Sequence, residues 1–144
     1  MIRQKDSILK AVGRFSVKGK WGQAASEYKK LVDLNPQDPR LRLRLGNFYF
    51  KAGNNEAALR EYELAARHYT QEGDLIKAVA ANKLIVKLDP SREEIYDKLA
   101  ELYAQRGLMG EMEALGRAEP REINRKPPIP LLADLNRQEF SELA

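Results

Sequence analysis

Through the first 118 positions, apolar residues recur three and four apart rather than two, so the chain reads as a succession of amphipathic helices. Ile8, Ala11, Val12 and Phe15 make one stripe, Ala24, Tyr28, Leu31 and Val32 the next, and Leu45, Phe48, Tyr49 and Ala52 a third. Each run meets a breaker. Gly19, Gly53, Gly73 and Gly107 stand where a helix stops in a left-handed conformation that glycine adopts without steric penalty. Asn35-Pro36 and Asp89-Pro90 close the remaining runs, because proline donates no backbone hydrogen bond and clashes with the preceding turn. These stripes and stops predict seven helices, near residues 5–18, 21–34, 39–52, 55–72, 74–88, 92–106 and 108–118, and leave no place for a sheet.

The helices repeat. A nine-residue pattern (a small or apolar pair, two residues, an aromatic, three residues, glycine) begins at Ala11, Leu45, Ala65 and Leu99, with spacings of 34, 20 and 34 residues. A second pattern starts at Ala24, Ala58 and Ala78, with a faint copy in which Met112 replaces the alanine. The short interval has a structural meaning: residues 55–72 serve as the second helix of one hairpin and, from Tyr62 to Tyr69, as the first helix of the next. One long helix shared by two repeats satisfies both. No hairpin of this kind buries its stripe alone, so stability comes from stacking on neighbours.

The 34-residue period, with Leu45-Gly46, Tyr49, Ala58, Tyr62 and Ala65 in order and Pro36 and Pro90 at closing positions, resembles the tetratricopeptide repeat over roughly residues 5–118. Asn82 departs from the aromatic expected there, and Met112 and Gly116 make the last half-repeat a cap rather than a full unit. The resemblance implies an all-α, right-handed solenoid of about seven antiparallel helices and a protein-interaction scaffold that takes a peptide or helix of a partner protein in a concave groove.

Composition changes from Glu119. The stretch EPREINRKPPIP holds four prolines and no helical stripe, which predicts a linker over residues 119–130. In residues 131–144, Asn136 followed by Glu139 makes a capping-box-like start for a short tail helix presenting Phe140 and Leu143. Residues 129–144 also resemble the leading helix of cyclic-nucleotide-binding domains. That resemblance implies the alternative that the solenoid is the N-terminal regulatory module of a longer cyclic-nucleotide-responsive signalling protein; a β-roll and phosphate cassette are absent, so nucleotide binding is not assigned to this chain.

Chemistry narrows the function further. The sequence has no cysteine and one histidine, His68, which excludes thiolate chemistry and imidazole metal clusters. His68 is expected to pack or face solvent. Glu93, Glu94, Asp97 and Glu101 lie at helical spacing, but no nucleophile motif or phosphate-cradling loop accompanies them, and acids in a first turn answer the helix dipole. The chain is therefore expected not to be an enzyme and to bind no cofactor or metal. Its net charge of +4 is concentrated in the first half and diluted by acids throughout, without the dense basic stripe and stacking aromatics of a nucleic-acid binder. The amino terminus carries charges where a signal peptide needs an apolar core, and no window of eighteen apolar residues occurs, so a cytoplasmic location without membrane contact is expected.

The site the resemblance implies lies on the first helices of the hairpins. Carried over position by position, it comprises Val17, then Arg40, Leu43, Asn47, Phe50 and Lys51, then Arg60 and Arg67, with Leu9, Gly13, Ser16 and Glu63 beside them and Glu94, Asp97 and Glu101 at an acidic far end. Leu43, Phe50 and Val17 would make an apolar floor, and Arg40, Lys51, Arg60 and Arg67 a basic middle. Asn47 occupies the place of an asparagine that clamps carboxylates in some tetratricopeptide repeats, but Leu9 and Gly13 replace the basic partners of that clamp. Trp21, at the first hairpin turn, is expected to pack the hairpin, and Met109 and Met112 to fill core.

Overall fold

A computed structural model describes residues 2–115, with side chains placed for residues 3–107. Six helices follow one another: α1 (Ile2–Val17), α2 (Trp21–Leu34), α3 (Pro39–Lys51), α4 (Asn55–Glu72), α5 (Leu75–Leu88) and α6 (Glu93–Leu115). Each packs chiefly on the helix before it and the helix after it, the arrangement of a solenoid built from antiparallel hairpins.

The turns explain the boundaries. Gly53 at φ 83° and Gly73 at φ 78° lie in the left-handed region, and the residue after each donates its backbone N–H across the turn, Asn54 to the Tyr49 carbonyl at 2.9 Å and Asp74 to the Tyr69 carbonyl at 3.0 Å. The same two residues then cap the next helix. The Asn54 side chain accepts from the Ala57 N–H and the Asp74 side chain from the Lys77 N–H, each at 3.2 Å. Asp38 does likewise for α3, accepting from the Arg40 N–H at 3.0 Å, with Pro39 in the first turn where a missing N–H costs nothing. Glycine followed by a capping side chain is thus a compact stop-and-restart signal.

That signal also explains a correction to the helix count. The seventh helix does not form separately, because α6 runs unbroken through Gly107 to Leu115. No asparagine or aspartate follows Gly107 to restart a helix. The residues after it, Leu108, Met109, Glu111, Met112, Glu113 and Ala114, are strong helix formers, and the two interior glycines, Gly107 and Gly110, cost only about 1 kcal/mol each. The shared helix does form as one piece, α4 spanning eighteen residues without a break. The linker over 119–130, the tail helix over 131–144 and the resemblance to a cyclic-nucleotide-binding domain all fall outside the described residues.

Two apolar clusters hold the array together, and α3 belongs to both. Leu45 joins Ile8, Val12, Ala24, Tyr28, Leu31 and Val32 between α1, α2 and α3. Leu43 joins Ala58, Tyr62, Ala65, Val79, Ile85 and Leu99 in the larger cluster that reaches α6. An ion pair spans α3 and α4 at 3.0 Å between Arg42 and Glu61, whose side chains are mostly buried.

Candidate functional site

Helices that alternate in direction and pack on their sequence neighbours fall into two layers, the odd-numbered helices in one and the even-numbered in the other. One groove opens on the odd layer. It has a volume of about 440 Å³ and is walled by Leu9 and Val12 of α1, by Asn47, Phe50 and Lys51 of α3, and by Leu84, Lys87 and Leu88 of α5; Tyr28 and Tyr62 reach it from the even helices, and Arg44 and Phe48 complete it. Phe50 is 45% exposed and Leu9 41%; Val17, Leu34 and Ile76 are also exposed, but none of those three lines this groove.

Aromatic packing fixes the end of the groove near Lys51. Phe48 stacks at a tilt on Tyr28, with ring centroids 5.3 Å apart, and lies 6.3 Å from Trp21. Lys51 places its ammonium 4.6 Å from the Trp21 ring centroid, a cation–π contact that restrains the charge beside Phe50. The ring contacts of Trp21 are thus to α3, the next hairpin, and through Lys51 it also sets the electrostatics of the groove. Deeper in, the Tyr62 hydroxyl donates to Asn47 Oδ1 at 2.6 Å. That bond occupies the acceptor of Asn47 and leaves its amide as a donor toward a ligand. Burial pushes the Tyr62 phenol far above its ordinary pKa, so this donor stays protonated at any physiological pH. Burial also raises the Tyr28 phenol, with the Arg44 guanidinium beside it opposing the shift. The groove thus offers an apolar wall, an amide donor and the cations Arg44, Lys51 and Lys87; no carboxylate lines it among the described residues.

The residues expected from sequence do not all meet here. Asn47, Phe50 and Lys51 share the groove. Leu43 is fully buried in the core and presents no surface to a partner. Val17, at the last position of α1, is 89% exposed and lies outside the groove. Arg40 lines a shallow depression with Asp38, Tyr69 and Lys77, and pairs with Asp38 at 3.3 Å. Arg60 is exposed on α4, again outside the groove. Arg67 lines a second depression of about 410 Å³ between α4, α5 and α6. There Glu63, Glu94 and Glu101 alternate with Arg67, Arg92 and Lys98, and Arg92 pairs with Glu63 and, at 3.2 Å, with Asp89. The expected single basic middle is therefore divided among separate surfaces. The cause is layer parity: the 20-residue interval makes α4 look like a first helix, but as the fourth in an alternating array it lies in the even layer, and α5 supplies the groove residues instead. Leu84, Lys87 and Leu88 of α5 and Arg44 of α3 were among the groove residues missed, and counting helices rather than matching motifs would have found those on α5.

Among the described residues no group of three or more His, Cys, Asp or Glu is placed to hold a metal ion, and no helix is long and apolar enough to cross a membrane. The all-helical repeat array, with open grooves on its surface, supports a general protein-interaction role. The tetratricopeptide repeat family model matches residues 18–82, and over that span, from the first hairpin turn into α5, the chain carries a tetratricopeptide repeat domain. No curated protein matches the chain.

Proposed function

We propose that the groove between α1, α3 and α5 receives a short segment of a partner protein, an apolar anchor flanked by acidic residues. The observation that supports this reading is the pairing of a half-exposed Phe50 with a rim that carries cations and no carboxylate among the described residues. An exposed aromatic beside other apolar side chains gains from being desolvated by a partner. The surrounding cations give the encounter its charge preference and speed it. Leu9, Leu84 and Leu88 extend the apolar wall on both sides of Phe50, Asn47 offers an amide to a backbone carbonyl of the segment, and Lys51, Arg44 and Lys87 face its acids.

Selection from a random peptide library displayed against the full chain tests this. The expected winners carry a large apolar residue with aspartate or glutamate within three positions, and their amide shift changes on the labelled protein centre on Leu9, Phe50 and Leu84. Winners that instead shift Arg67, Lys98 and Glu101 would move the site to the second depression.

A further inference from the structure

The second, alanine-led repeat pattern places an aromatic four residues after its alanine, Tyr28 after Ala24 and Tyr62 after Ala58, but in the third copy Asn82 follows Ala78. The two rings fill space between helices. Tyr28 stacks on Phe48 and shares the first core cluster with Val12, and Tyr62 covers Gly46. Val12 and Gly46 hold the second place of the nine-residue pattern, and Ala66 holds that place in its next copy. Asn82 is too short to cover Ala66 as a ring would. The depression of about 410 Å³ between α4, α5 and α6 opens at this point, with Asn82 and Ala66 both in its lining.

The floor of the depression decides what it can take. Ala66, Ile85 and Leu102 line it as buried apolar side chains, and Asn82 is 2% exposed beside them. The Asn82 amide nitrogen donates to the Ala78 carbonyl at 2.8 Å. Its Oδ1 accepts from no described group, which leaves one unpartnered acceptor in an apolar setting. Such an acceptor selects a donor and repels carboxylates and carbonyls, while an ammonium or guanidinium would lose its hydration on this floor. An aromatic ring with one hydroxyl meets both demands. The chain already makes this pairing once, where the Tyr62 hydroxyl donates to Asn47 Oδ1 at 2.6 Å. The rim sets Glu63, Glu94 and Glu101 against Arg67, Arg92 and Lys98, so it carries no net charge and, unlike the α1/α3/α5 groove, favours a neutral stretch of chain. We infer that this depression receives a tyrosine from a neutral segment of a partner protein, its ring on Ala66 and Ile85 and its hydroxyl donating to Asn82 Oδ1. The partner thereby supplies the aromatic that the third copy of the repeat lacks. The site is separate from the α1/α3/α5 groove and does not depend on that groove being occupied.

A single ring binds weakly, so the test is a titration of the isotope-enriched full chain, up to millimolar concentration, with an uncharged peptide carrying one central tyrosine and with its phenylalanine counterpart. The expected result is shift changes centred on Ala66, Asn82 and Leu102, with the phenylalanine peptide bound about tenfold more weakly for want of the hydrogen bond. Asn82→Leu should bind both peptides alike, at the level of the phenylalanine peptide. Asn82→Tyr, which restores the ring present at Tyr28 and Tyr62, should fill the depression and take neither. The two variants remove the site by different means, so either one decides the matter if the other fails to fold. Equal affinity of the parent chain for the two peptides overturns the inference, as does no binding at millimolar concentration, a tyrosine preference that persists in Asn82→Leu, or binding that survives Asn82→Tyr. Phe50→Ala should leave the titration unchanged. Shift changes confined to Leu9, Phe50 and Leu84, or lost in Phe50→Ala, would assign the peptide to the α1/α3/α5 groove and sink the second site while the groove reading stands.

Discussion

The ring of Tyr62 fills the space that a side chain at position 46 would need: a Cβ on Gly46 would lie 2.6 Å from Tyr62 Cε1 and 2.8 Å from Cδ1. The ring has nowhere to retreat. It is 2% exposed, sits among Ala58, Ala65 and Leu43, and is tethered through its hydroxyl to Asn47. Close approach of α3 to α4 therefore depends on the absent side chain. Gly46→Ala is expected to destabilise the fold by about 1–3 kcal/mol through overpacking. Gly13→Ala, at an α1 position where a Cβ would meet nothing within 4 Å, should instead stabilise by about 0.5–1 kcal/mol. Urea midpoints of the two variants give the comparison, and equal shifts would show that α3 and α4 have slack between them.

Two glycines that look alike in sequence should respond to alanine with opposite signs. Gly73 has φ 78° and Gly107 lies inside α6, and neither would bring a Cβ within 4 Å of another group. Backbone conformation alone separates them. Gly73→Ala should cost about 1–2 kcal/mol for forcing a left-handed alanine. Gly107→Ala should gain about 0.5–1 kcal/mol and raise helicity by circular dichroism. A loss at Gly107 would mean that α6 breaks there after all.

Alkaline pH should unfold the array earlier than its charge balance suggests. Tyr62 and Tyr69 are each 2% exposed; burial pushes the Tyr69 phenol up to about 12 and the Tyr62 phenol beyond it. Unfolded phenols ionise near pH 10. Between about pH 10 and pH 12 the folded state thus binds more protons than the unfolded state, and stability falls as pH rises, by about 1.4 kcal/mol per pH unit for each such phenol. Their contribution is fully present below about pH 10. Denaturation midpoints followed alongside phenolate absorbance should show this slope, and Tyr69→Phe should reduce it by one proton's worth. A flat profile would contradict the burial of both rings.

Local signals in the sequence were sufficient for most of the fold and for only part of the site. The stops at Gly53-Asn54 and Gly73-Asp74 are decided within a few residues, and helical stripes such as Ala24, Tyr28, Leu31 and Val32 became core as expected. Gly107 misled because a glycine alone is a weak terminator; the missing cap after it was the better guide. The site required a non-local quantity, the parity of a helix within the array. Arg60 and Arg67 carry suitable chemistry at suitable motif positions, yet both project from α4, and Leu84 and Leu88 of α5 hold the groove position that the motif assigned to them. Leu43 misled differently. Two residues from Leu45 on α3, it faces the second core cluster, because a helix wedged between two hairpins buries more than one stripe.

Phe48 and Phe50 stand two positions apart on α3 and should separate stability from binding. Phe48 is partly buried, packing on Tyr28 and Trp21 against the first core cluster at the edge of the groove, whereas Phe50 is 45% exposed on the groove wall. Removing a packed ring strips its contacts and leaves a cavity, so Phe48→Ala should cost about 3 kcal/mol of stability. Phe50→Ala removes a ring that the fold leaves half in water, and its melting temperature should stay near that of the parent chain. A desolvated aromatic anchor contributes about 2 kcal/mol or more, so Phe50→Ala should weaken a groove-selected peptide at least about thirtyfold. Lys51→Ala should act mostly on the association rate and lose its effect at high salt. Melting curves and titrations on the same preparations distinguish the roles: a collapsed melting temperature for Phe50→Ala would place that ring in the core, and unchanged affinity at full stability would remove the α1/α3/α5 groove as the binding surface.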